Sequence, residues 1–541
     1  MKIALAQLDL TVGDLDGNTA KIIVFMEKAK GKADLVIFPE LAIVGYPPKD
    51  LLLKPSFIRE NRKRLDEIIE RADGIAAVLG FVDGSERKLY NSAAFIVDGE
   101  LVGAQAKINL PNYDVFDEKR YFQPGDKSEL FELNGKKLGI NLCEDIWVEG
   151  GPCEIQAKEG ADLIVNISAS PFNVGKNEER LDLLAKRARV NEVPIAYCNL
   201  VGGQDDLVFD GGSCFVNSDG SLLVQGKRFQ EGMVFNDPAV SPAPPISDPA
   251  EEVYRALVLG IRDYTLKNGF KRVIIGLSGG IDSSLAAALA VEALGSENVV
   301  GVFMPSEITS LENAEDAEAL AKNMGMEFKV VPITRGVKAF DDMLAAEFKG
   351  TEAGVAEENI QARLRGNILM ALSNKFGYLV LSAGNKSEMA VGYTTLYGDL
   401  AGGLAVISDV PKTMVYSLAR YANAKAGKDI ILKRILKKEP TAELRPGQKD
   451  AEDLPPYEVL DPILKAYIED EKAIDEIVAM GFERSVVVDM IKRVDRNEYK
   501  REQAPPGIRV TSKAFGSGRR MPITNKYRGP DSGAEGRILN K

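Results

Sequence analysis

The sequence predicts an α/β protein of two domains, and three observations lead to that prediction. The chain has 541 residues, which is longer than a single hydrophobic core usually serves. A proline-rich stretch, DPAVSPAPPISDPAEE, interrupts it. Short apolar runs alternate with helical patterns on both sides of this stretch, which is typical of sheets covered by helices. We therefore expect domains at residues 1–236 and 251–541, joined by a stiff linker over 237–250.

Apolar runs of strand length follow one another through the first half. The strand candidates are KIALAQL, DLVIFPE, GIAAVLGFVD, AAFIVDGE, KLGINLCEDIW, DLIVNISASPF, VPIAYCNLVGG and CFVNSDGSLLVQ. NTAKIIVFMEKAKG and EERLDLLAKRARVN have helical patterns, and Asp-Gly and Asn-Gly pairs mark turns. We expect layered sheets flanked by helices.

The second half alternates strand, glycine loop, helix and strand. RVIIGLSGG leads into IDSSLAAALAVEALG, and NVVGVFMPS is followed by a helical segment through Glu312–Met324 and then by FKVVPI. This alternation predicts a parallel, doubly wound sheet. The segment PPGIRVTSKAFGSGRRMPITNKYRGP (505–530) is basic and rich in proline and glycine, and we interpret it as an extended C-terminal arm.

Composition and charge exclude several classes of protein. The chain is 45% hydrophobic and 27% charged, which is the balance of a globular protein. Its net charge of −12 argues against non-specific binding to nucleic acid or to an anionic membrane. No apolar run has the length of a membrane span, and the first residues are too polar for a signal peptide. Four cysteines are too few for a disulfide scaffold, so we expect a cytoplasmic protein.

The chain contains no histidine. Histidine metal ligands, a histidine base, and Ser-His or Cys-His nucleophile pairs are therefore excluded. Any chemistry must depend on Cys, Lys, Asp and Glu, on phosphate-binding loops, and on metals held by oxygen.

A Glu, a Lys and a Cys in the first half lie at strand ends in the predicted fold. Glu40 ends DLVIFPE, Lys107 opens KINLPNYDVFDEKRYF, and Cys143 follows LGINL. A strand that ends in a sharp turn can expose a nucleophile. A carboxylate that takes the thiol proton and an ammonium that stabilises the thiolate and the oxyanion would permit amide hydrolysis. Taken singly, Glu40 fits better as a solvated strand end, Lys107 as a surface charge and Cys143 as a buried structural cysteine, and only the combination of the three favours catalysis.

The glycine-rich loop after RVIIG is suited to phosphate. It reads GLSGGIDSS over 276–284 and opens a helix, so backbone N–H groups and the helix N-terminus would face an anion. Asp282 could hold Mg²⁺ through oxygen. The Gly-Lys-Ser/Thr ending of a Walker A loop is missing. A glycine turn before an ordinary helix cap is the alternative for SGG by itself.

The first half resembles the nitrilase superfamily on the stretches FPE, K-x-x-LPNY-x-VFDE-x-RYF and NLCEDIW. Members of that superfamily carry a Glu-Lys-Cys triad on an αββα sandwich. The resemblance therefore implies this fold for the first domain. It places the triad on Glu40, Lys107 and Cys143, with Glu118 as a supporting acid.

The second half is similar to the ATP pyrophosphatases in its SGGxDS loop, and the remaining motifs extend the similarity to nearly the whole chain. Those motifs are EENIQARLRGNILMALSNK, LVLSAGNKSEMAVGYTTLYGDLAGG, VISDVPKT, AELRPGQ, LPPYEVLD and REQAPPGIRVTSKAFG. Together they resemble the glutamine-dependent NAD⁺ synthetase family. The resemblance implies that the first domain releases ammonia from glutamine. In the second domain, ATP would adenylate deamido-NAD⁺ and ammonia, delivered through the protein interior, would displace AMP.

The resemblance also assigns ligand positions. Glutamine binding falls on Tyr113, Ser170 and Lys176. ATP binding falls on Gly276, Leu277, Ser278, Gly279, Gly280, Ile281, Asp282, Ser283, Ala383 and Lys412. Deamido-NAD⁺ binding falls on Asn359, Glu388 and Lys513. To these we add Arg363 and Arg365 for their positive charge, and Asp399 as a substrate contact. The two arginines fit equally well as solvated residues, and an Asp that follows Gly, as Asp399 does, is more often a turn residue. Mg²⁺ would be held by Asp282 and Glu388.

One of these positions departs from the family. Ala383 stands where the family commonly has threonine, which removes one hydroxyl contact to ATP, and Ser382 is a candidate substitute. The expected partners are small molecules only, namely glutamine, ATP and deamido-NAD⁺, with no nucleic acid and no membrane. By resemblance, we expect a homo-oligomer through the synthetase domain.

Two other functions stay open at this point. The first is the same type of glutamine-dependent ligase acting on another carboxylate. The second is a nitrilase-like hydrolase fused to a nucleotide-sensing domain without ligase turnover. In that second case Cys143→Ala would abolish all activity, whereas a ligase would still use external ammonia.

Overall fold

The computed structural model describes residues 1–85, 88–441, 443–445, 447–448 and 450–525. The chain divides into two compact units between Ser247 and Asp248. The end of the predicted arm, with the rest of the chain from residue 526, lies outside the described residues.

Strands dominate the first unit. Its strands are β1 Ile3–Gln7, β2 Leu35–Ile37, β3 Ala76–Ser85, β4 Lys88–Val97, β5 Glu100–Ala106, β6 Leu130–Leu133, β7 Lys136–Leu142, β8 Leu163–Ser168, β9 Ile195–Asn199, β10 Val201–Gln204, β11 Leu207–Asp210, β12 Cys214–Val216, β13 Leu222–Gln225 and β14 Gly232–Phe235. Its α-helices are α1 Leu15–Ala29, α2 Pro55–Arg71, α3 Pro152–Lys158 and α4 Lys176–Asn191.

Two six-stranded sheets form the middle layers of this unit. Their strand orders are β14-β1-β2-β3-β4-β5 and β13-β12-β9-β8-β7-β6. Side chains alternate between the two faces of a strand. In β1, Ile3 and Leu5 point into a core shared with β7 and β8 of the other sheet, whereas Ala4 and Ala6 pack with α1 and α2. Because α3 and α4 cover the outer face of the second sheet, the unit is an αββα sandwich, and the predicted fold is confirmed.

The second unit combines a small sheet with many helices. Its strands are β15 Val273–Leu277, β16 Val299–Phe303, β17 Glu327–Val330, β18 Leu379–Ser382 and β19 Leu404–Ala405. Its α-helices are α5 Pro249–Lys267, α6 Ile281–Leu294, α7 Leu311–Met324, α8 Thr334–Leu344, α9 Val355–Phe376, α10 Lys386–Val391, α11 Lys412–Ala426, α12 Lys433–Lys437, α13 Tyr457–Ile468, α14 Ile474–Ala479, α15 Arg484–Arg496 and α16 Glu498–Arg501.

The sheet of the second unit is parallel and runs in the order β17-β16-β15-β18-β19. The chain leaves β15 in one direction to form β16 and β17, and it returns to the other side of β15 for β18. The predicted doubly wound sheet is thus confirmed. In such sheets a ligand binds where the strand order reverses, beside the carboxyl ends of the strands. Here that point lies between the loops that follow β15 and β18.

The proline-rich segment and the arm have different structures. Residues 236–248 contain no helix or strand. The last two residues of the predicted linker already belong to α5, because proline at the first helical position suits a helix start and Asp248 caps it by accepting from the Ala250 amide at 2.9 Å. The arm runs along β19, where the Ala405 amide donates to the Pro506 carbonyl at 2.8 Å. Across the described residues, no helix is both long and apolar enough to cross a membrane.

Candidate active sites

Cys143 is the residue at which β7 ends and the chain turns. Its φ angle is +41°, a left-handed conformation that L-residues with side chains rarely adopt. A strained residue at the end of a strand is the geometry of a nucleophile elbow, which aims a side chain out of the sheet. The side chain is nevertheless buried, so the thiol faces an enclosed site.

Lys107 joins two carboxylates in a fully enclosed ion cluster. Its Nζ lies 2.7 Å from Glu40 Oε1 and 2.8 Å from Glu118 Oε1. The Asn91 amide donates to Glu40 Oε1 at 2.7 Å, and the Ala169 amide donates to Glu40 Oε2 at 2.9 Å. The loop after β2, the residue after β5 and the short 3-10 helix Glu118–Arg120 therefore bring Glu40, Lys107 and Glu118 together.

Burial controls the protonation of this cluster. Burial would lower the pKa of Lys107, but the carboxylates of Glu118 and Glu40 outweigh it and raise that pKa. Burial raises the pKa of Glu118 to about 7. Burial and the Glu40 charge raise the pKa of the Cys143 thiol, and Lys107 opposes them. The resting thiol is therefore neutral and needs a base, and Glu40 is the acid whose charge acts on it most strongly.

Asp145 is a residue of this site that sequence reasoning missed. Its buried carboxylate accepts from the Leu142 amide at 3.2 Å and from the Asn109 amide at 2.7 Å. It thereby joins the turn that holds Cys143 to the segment after Lys107. Burial raises its pKa to about 6. The only signal was its place two residues after the cysteine, where an acid is expected to be solvated.

Two of the residues assigned to glutamine, Tyr113 and Lys176, contact residues of the Cys143 turn. Tyr113 is exposed and donates to Glu144 Oε2 at 2.9 Å, and both residues line an open cavity of about 690 Å³. Lys176 lies over the Trp147 ring, 3.9 Å from its centroid, a cation–π contact that ties the start of α4 to the Cys143 turn. Ser170 is buried, and its amide donates to Asn199 Oδ1 at 2.9 Å.

The loop after β15 requires glycine at one position. Gly279 has φ +78°, and a Cβ there would lie 2.8 Å from the backbone oxygen of Asn313. The Ser278 and Ser283 hydroxyls lie 3.1 Å apart, and the Ser278 amide donates to Ser283 Oγ at 3.2 Å. The loop thus closes on its own hydroxyls and leads directly into α6, as an anion-binding loop does.

Lys412 joins the two predicted metal-binding acids of the second unit. Its buried Nζ lies 2.5 Å from Asp282 Oδ2 and 3.1 Å from Glu388 Oε1. Asn385, which caps α10, donates to Asp282 Oδ1 at 3.0 Å. Burial would lower the pKa of Lys412, but Asp282 and Glu388 raise it, and burial raises the pKa of Glu388 to about 7. Asp282 stands in the first turn of α6, the helix after β15, and Glu388 stands on the helix after β18, so the acids meet at the switch point of the sheet.

The donor set at this point fits Mg²⁺. Mg²⁺ is commonly bound by one or two carboxylates together with substrate phosphates and water. Asp282 and Glu388 supply two carboxylates that already share one cation, the Lys412 ammonium. No group of three or more acidic or cysteine side chains arranged for a metal occurs in the part of the chain that the structure describes.

A cavity of about 300 Å³ lies at the switch point. Most residues assigned to ATP line it, namely Gly276, Leu277, Ser278, Gly280, Ile281, Asp282, Ser283, Ala383 and Lys412. Gly279 does not line the cavity and lies against the Asn313 backbone. Ser382 also lines the cavity, and its buried hydroxyl makes no hydrogen bond within the described residues.

The residues assigned to deamido-NAD⁺ fall into two places. Glu388 and Asp399 line the cavity, and so does Arg365, which donates to the Met304 carbonyl at 3.0 Å. Asn359 accepts from Thr395 Oγ1 at 2.6 Å, and the Thr395 amide donates to Asp399 Oδ1 at 2.7 Å. These contacts place Asn359 beside Asp399, whose pKa burial raises to about 6.

Asn359, Arg363 and Lys513 are not among the residues that line this cavity. Arg363 donates to the Leu396 carbonyl at 3.2 Å, on the loop that also carries Asp399. Lys513 belongs to the arm and pairs with Glu471.

Comparison with known proteins identifies relatives over the whole chain. A family model described as carbon-nitrogen hydrolase matches residues 2–239, and one described as NAD synthase matches residues 253–504. A Thermotoga maritima protein named glutamine-dependent NAD(+) synthetase is 48% identical, covering 98% of this chain and 99% of its own length. The Aquifex aeolicus protein of the same name is 46% identical, covering 97% of this chain and 100% of its own length.

Solved structures agree in fold. The glutamine-dependent NAD+ synthetase from Acinetobacter baumannii, in complex with adenosine diphosphate, has a TM-score of 0.79 and 44% identity over 97% of this chain and 98% of its own. A glutamine-dependent NAD(+) synthetase from Cytophaga hutchinsonii has a TM-score of 0.86 at 23% identity, with the same coverage of both chains, and shares the fold.

Proposed function

The chain belongs to the family of the glutamine-dependent NAD(+) synthetases, and from that membership we propose how its two units divide the reaction. It is an ATP-dependent carbon–nitrogen ligase that forms NAD⁺ with glutamine as the nitrogen donor.

In the first unit, Cys143 is the nucleophile and Glu40 the base. Glu40 takes the thiol proton as the sulfur attacks the side-chain amide carbon of glutamine, and Lys107 stabilises the oxyanion that forms. The carbon–nitrogen bond then breaks, Glu40 returns the proton to the nitrogen, and ammonia leaves a thioester. Water activated by Glu40 hydrolyses the thioester to glutamate. Tyr113, Ser170 and Lys176 would bind the rest of the glutamine.

Glu118 and Asp145 support this chemistry without touching the reacting atoms. Glu118 shares the Lys107 ammonium and accepts from Tyr46 Oη at 2.9 Å, which fixes the position of the lysine. Asp145 fixes the turn on which the thiol stands.

In the second unit, the carboxylate of deamido-NAD⁺ attacks the α-phosphorus of ATP and pyrophosphate leaves. Ammonia from the first reaction attacks the acyl carbon, and AMP leaves. The amides and hydroxyls of the Ser278–Ser283 loop would hold the phosphates, with Ser382 as a further hydroxyl donor beside Ala383. Asn359, Arg363 and Asp399 would hold deamido-NAD⁺, together with Glu388 and Lys513.

We assign Asp282 and Glu388 as the residues that would hold Mg²⁺, which neutralises negative charge on ATP when it is bound. Lys412, whose ammonium is shared by the two acids, would supply a further positive charge beside the phosphates.

Two wider properties belong to the same proposal. The chain would act as a homo-oligomer through its second unit, because α8 exposes Phe340 and Met343 three residues apart on one face. It would act in the cytoplasm, since all four cysteines are free and buried.

One observation carries the proposal: the chain contains two buried lysines, Lys107 and Lys412, at its two sites. Each lysine lies between two carboxylates. The decisive experiment is Cys143→Ala. We expect NAD⁺ formation from glutamine to be lost and formation from external ammonia to persist, with AMP and pyrophosphate released in equal amounts. Cys153→Ala, which removes another buried thiol, is the matched control and should retain both activities. Loss of both activities in Cys143→Ala would contradict the proposal.

A further inference from the structure

Lys386 is a buried ammonium that the proposed reaction does not use. Only 3% of its surface is exposed, and it does not line the cavity at the switch point. It stands two residues before Glu388 on α10, about 200° around the helix, so the two side chains leave on opposite sides. A buried charge of this kind is expensive unless it is paired and fully hydrogen-bonded.

The partners of Lys386 come from three separate segments. Its Nζ donates to Glu469 Oε1 at 2.9 Å, to Thr511 Oγ1 at 2.6 Å and to the Lys513 carbonyl at 3.0 Å, which uses all three ammonium protons. The Asp409 carboxylate lies 3.0 Å away as a second counter-charge. Two of the three hydrogen bonds therefore end on the C-terminal arm.

Its two counter-charges hold the same piece of the arm. Asp409 accepts from the Val510 and Thr511 amides at 2.8 and 2.7 Å and from the Thr511 hydroxyl at 2.8 Å. Glu469 accepts from Ser512 Oγ at 2.8 Å. Lys386 thus completes a network that fixes residues 510–513 in a single position against α10.

The same helix reaches the ATP site on its other side. Asn385 caps α10 and donates to Asp282, and Glu388 lies in its first turn. One short helix therefore connects the metal-binding acids to the arm that carries Lys513. The arm with Lys513 contacts α10 through Lys386, whereas the phosphate loop contacts it through Asn385.

We propose that Lys386 is a positioning residue that fastens the C-terminal arm to α10 and so presents Lys513 to deamido-NAD⁺. This inference rests on the proposed function, because it concerns the substrate assigned to that site. Lys386 acts through the arm and contacts neither the phosphates nor the reacting carboxylate. Its removal should weaken the use of one substrate and not of the other.

The test compares KM values for the two substrates in the full-length protein, with external ammonia as nitrogen donor so that the first unit does not contribute. Lys386→Met should raise KM for deamido-NAD⁺ about ten-fold, the effect of losing one or two charge-assisted hydrogen bonds. KM for ATP should stay within about two-fold. Trypsin should also cleave within residues 505–525 faster than in the unaltered protein.

Two further variants keep the test decisive. Thr511→Val removes only the hydroxyl that lies between Lys386 and Asp409, and it should shift the same KM in the same direction by a smaller factor. Lys465→Met is the control. Lys465 is an exposed lysine of α13 that pairs with Asp470, and its replacement should change neither KM. If Lys386→Met does not fold, Thr511→Val decides alone.

Equal rises in both KM values, or no rise in the KM for deamido-NAD⁺, would overturn the inference whatever the cleavage rate. Failure of the proposed function would look different, because the unaltered protein would then form no NAD⁺. In that case the cleavage comparison still decides whether Lys386 holds the arm, and an equally protected arm in Lys386→Met would refute it.

Discussion

At the scale of single residues, the two sites share one arrangement, a buried lysine between two acids. Lys107 lies between Glu40 and Glu118, and Lys412 lies between Asp282 and Glu388. Each buried ammonium is stable only because two acids share it, and removing one partner from such a group usually destabilises a protein by about 3–5 kcal/mol. The arrangement keeps lysines charged in enclosed sites, where a cation stabilises developing negative charge most strongly.

The raised pKa of Glu118 predicts a pH dependence of stability. Its ordinary pKa of 4.5 is raised to about 7 in the folded protein, chiefly by burial, so the folded state holds this proton more tightly than the unfolded chain. Stability should therefore fall as the pH rises from about 4.5 to about 7, by up to about 1.4 kcal/mol per pH unit from this group. Glu118→Gln carries no such proton and should lose this contribution.

The measurement is urea unfolding at several pH values, followed by fluorescence of Trp147, the one tryptophan of the chain, which lies in the first unit. The unfolding free energy of Glu118→Gln minus that of the unaltered protein should increase across the window. Glu178→Gln, on an exposed glutamate of α4, is the control. A constant difference for Glu118→Gln would show that Glu118 does not take up its proton there.

At the scale of secondary-structure elements, both sites are made by loops at the carboxyl ends of strands. Cys143 follows β7, and the phosphate loop follows β15. Both loops contain a left-handed residue, Cys143 in the first and Gly279 in the second. Only the second could be glycine, because the first needs its thiol, and the Asp145 hydrogen bonds help to hold the strained cysteine.

Adding a methyl group at Gly279 and at Gly280, two neighbouring positions of the phosphate loop, should change ATP affinity to different extents. Gly279→Ala combines a positive φ with a contact of 2.8 Å to the Asn313 backbone, so the loop must move. We expect ATP affinity to fall roughly ten- to hundred-fold, which corresponds to about 1–3 kcal/mol of strain. Calorimetric titration with ATP is the measurement, and glutamine hydrolysis should be retained.

Gly280→Ala is the matched control for this variant. Gly280 has φ −92°, and the nearest atom to an added Cβ is the Ser278 hydroxyl oxygen at 3.1 Å, which can rotate away. Its effect on ATP affinity should be the smaller one. The reverse order would mean that the loop does not bind ATP in the conformation described.

At the scale of the whole molecule, association with a second copy is the property that the surface suggests. Phe340 is 38% exposed and Met343 65% exposed on α8, and α9, which packs against α8, exposes Met370 and Phe376. Phe340 and Met343 are three residues apart and share one face of α8, and this face is where we place the proposed contact. Homo-oligomers with two-fold symmetry are the commonest way to cover such a face.

The double variant Phe340→Asp/Met343→Asp should reduce the mass of the protein in solution, because two charges would have to be buried in the interface. Light scattering coupled to size-exclusion chromatography measures that mass. Val24→Asp, which places a charge on an exposed apolar residue of α1, is the control and should leave the mass unchanged. An unaltered protein that already has the mass of one chain, or a double variant with unchanged mass, would contradict the prediction.

The layered and doubly wound folds, the family and the overall reaction could all be predicted from the amino-acid sequence. These follow from local periodicity and from contiguous motifs such as NLCEDIW and SGGIDSS. Such features involve only residues close together in the sequence, so they can be recognised without the fold. The family and the fold are confirmed by relatives 46–48% identical over nearly the full length and by solved structures. The individual site roles stay predictions.

Which side chains share a charge or a hydrogen bond became known only from the folded structure. Asp145 fixes the turn at Cys143, Lys412 joins Asp282 to Glu388, and Lys386 ties the arm to α10. Lys386 and Thr511 are 125 residues apart, and no pattern along the chain relates them. Burial also raises the pKa of carboxyl groups, as it does for Glu118. Both effects depend on distance and solvent exclusion in three dimensions, which a linear pattern does not contain.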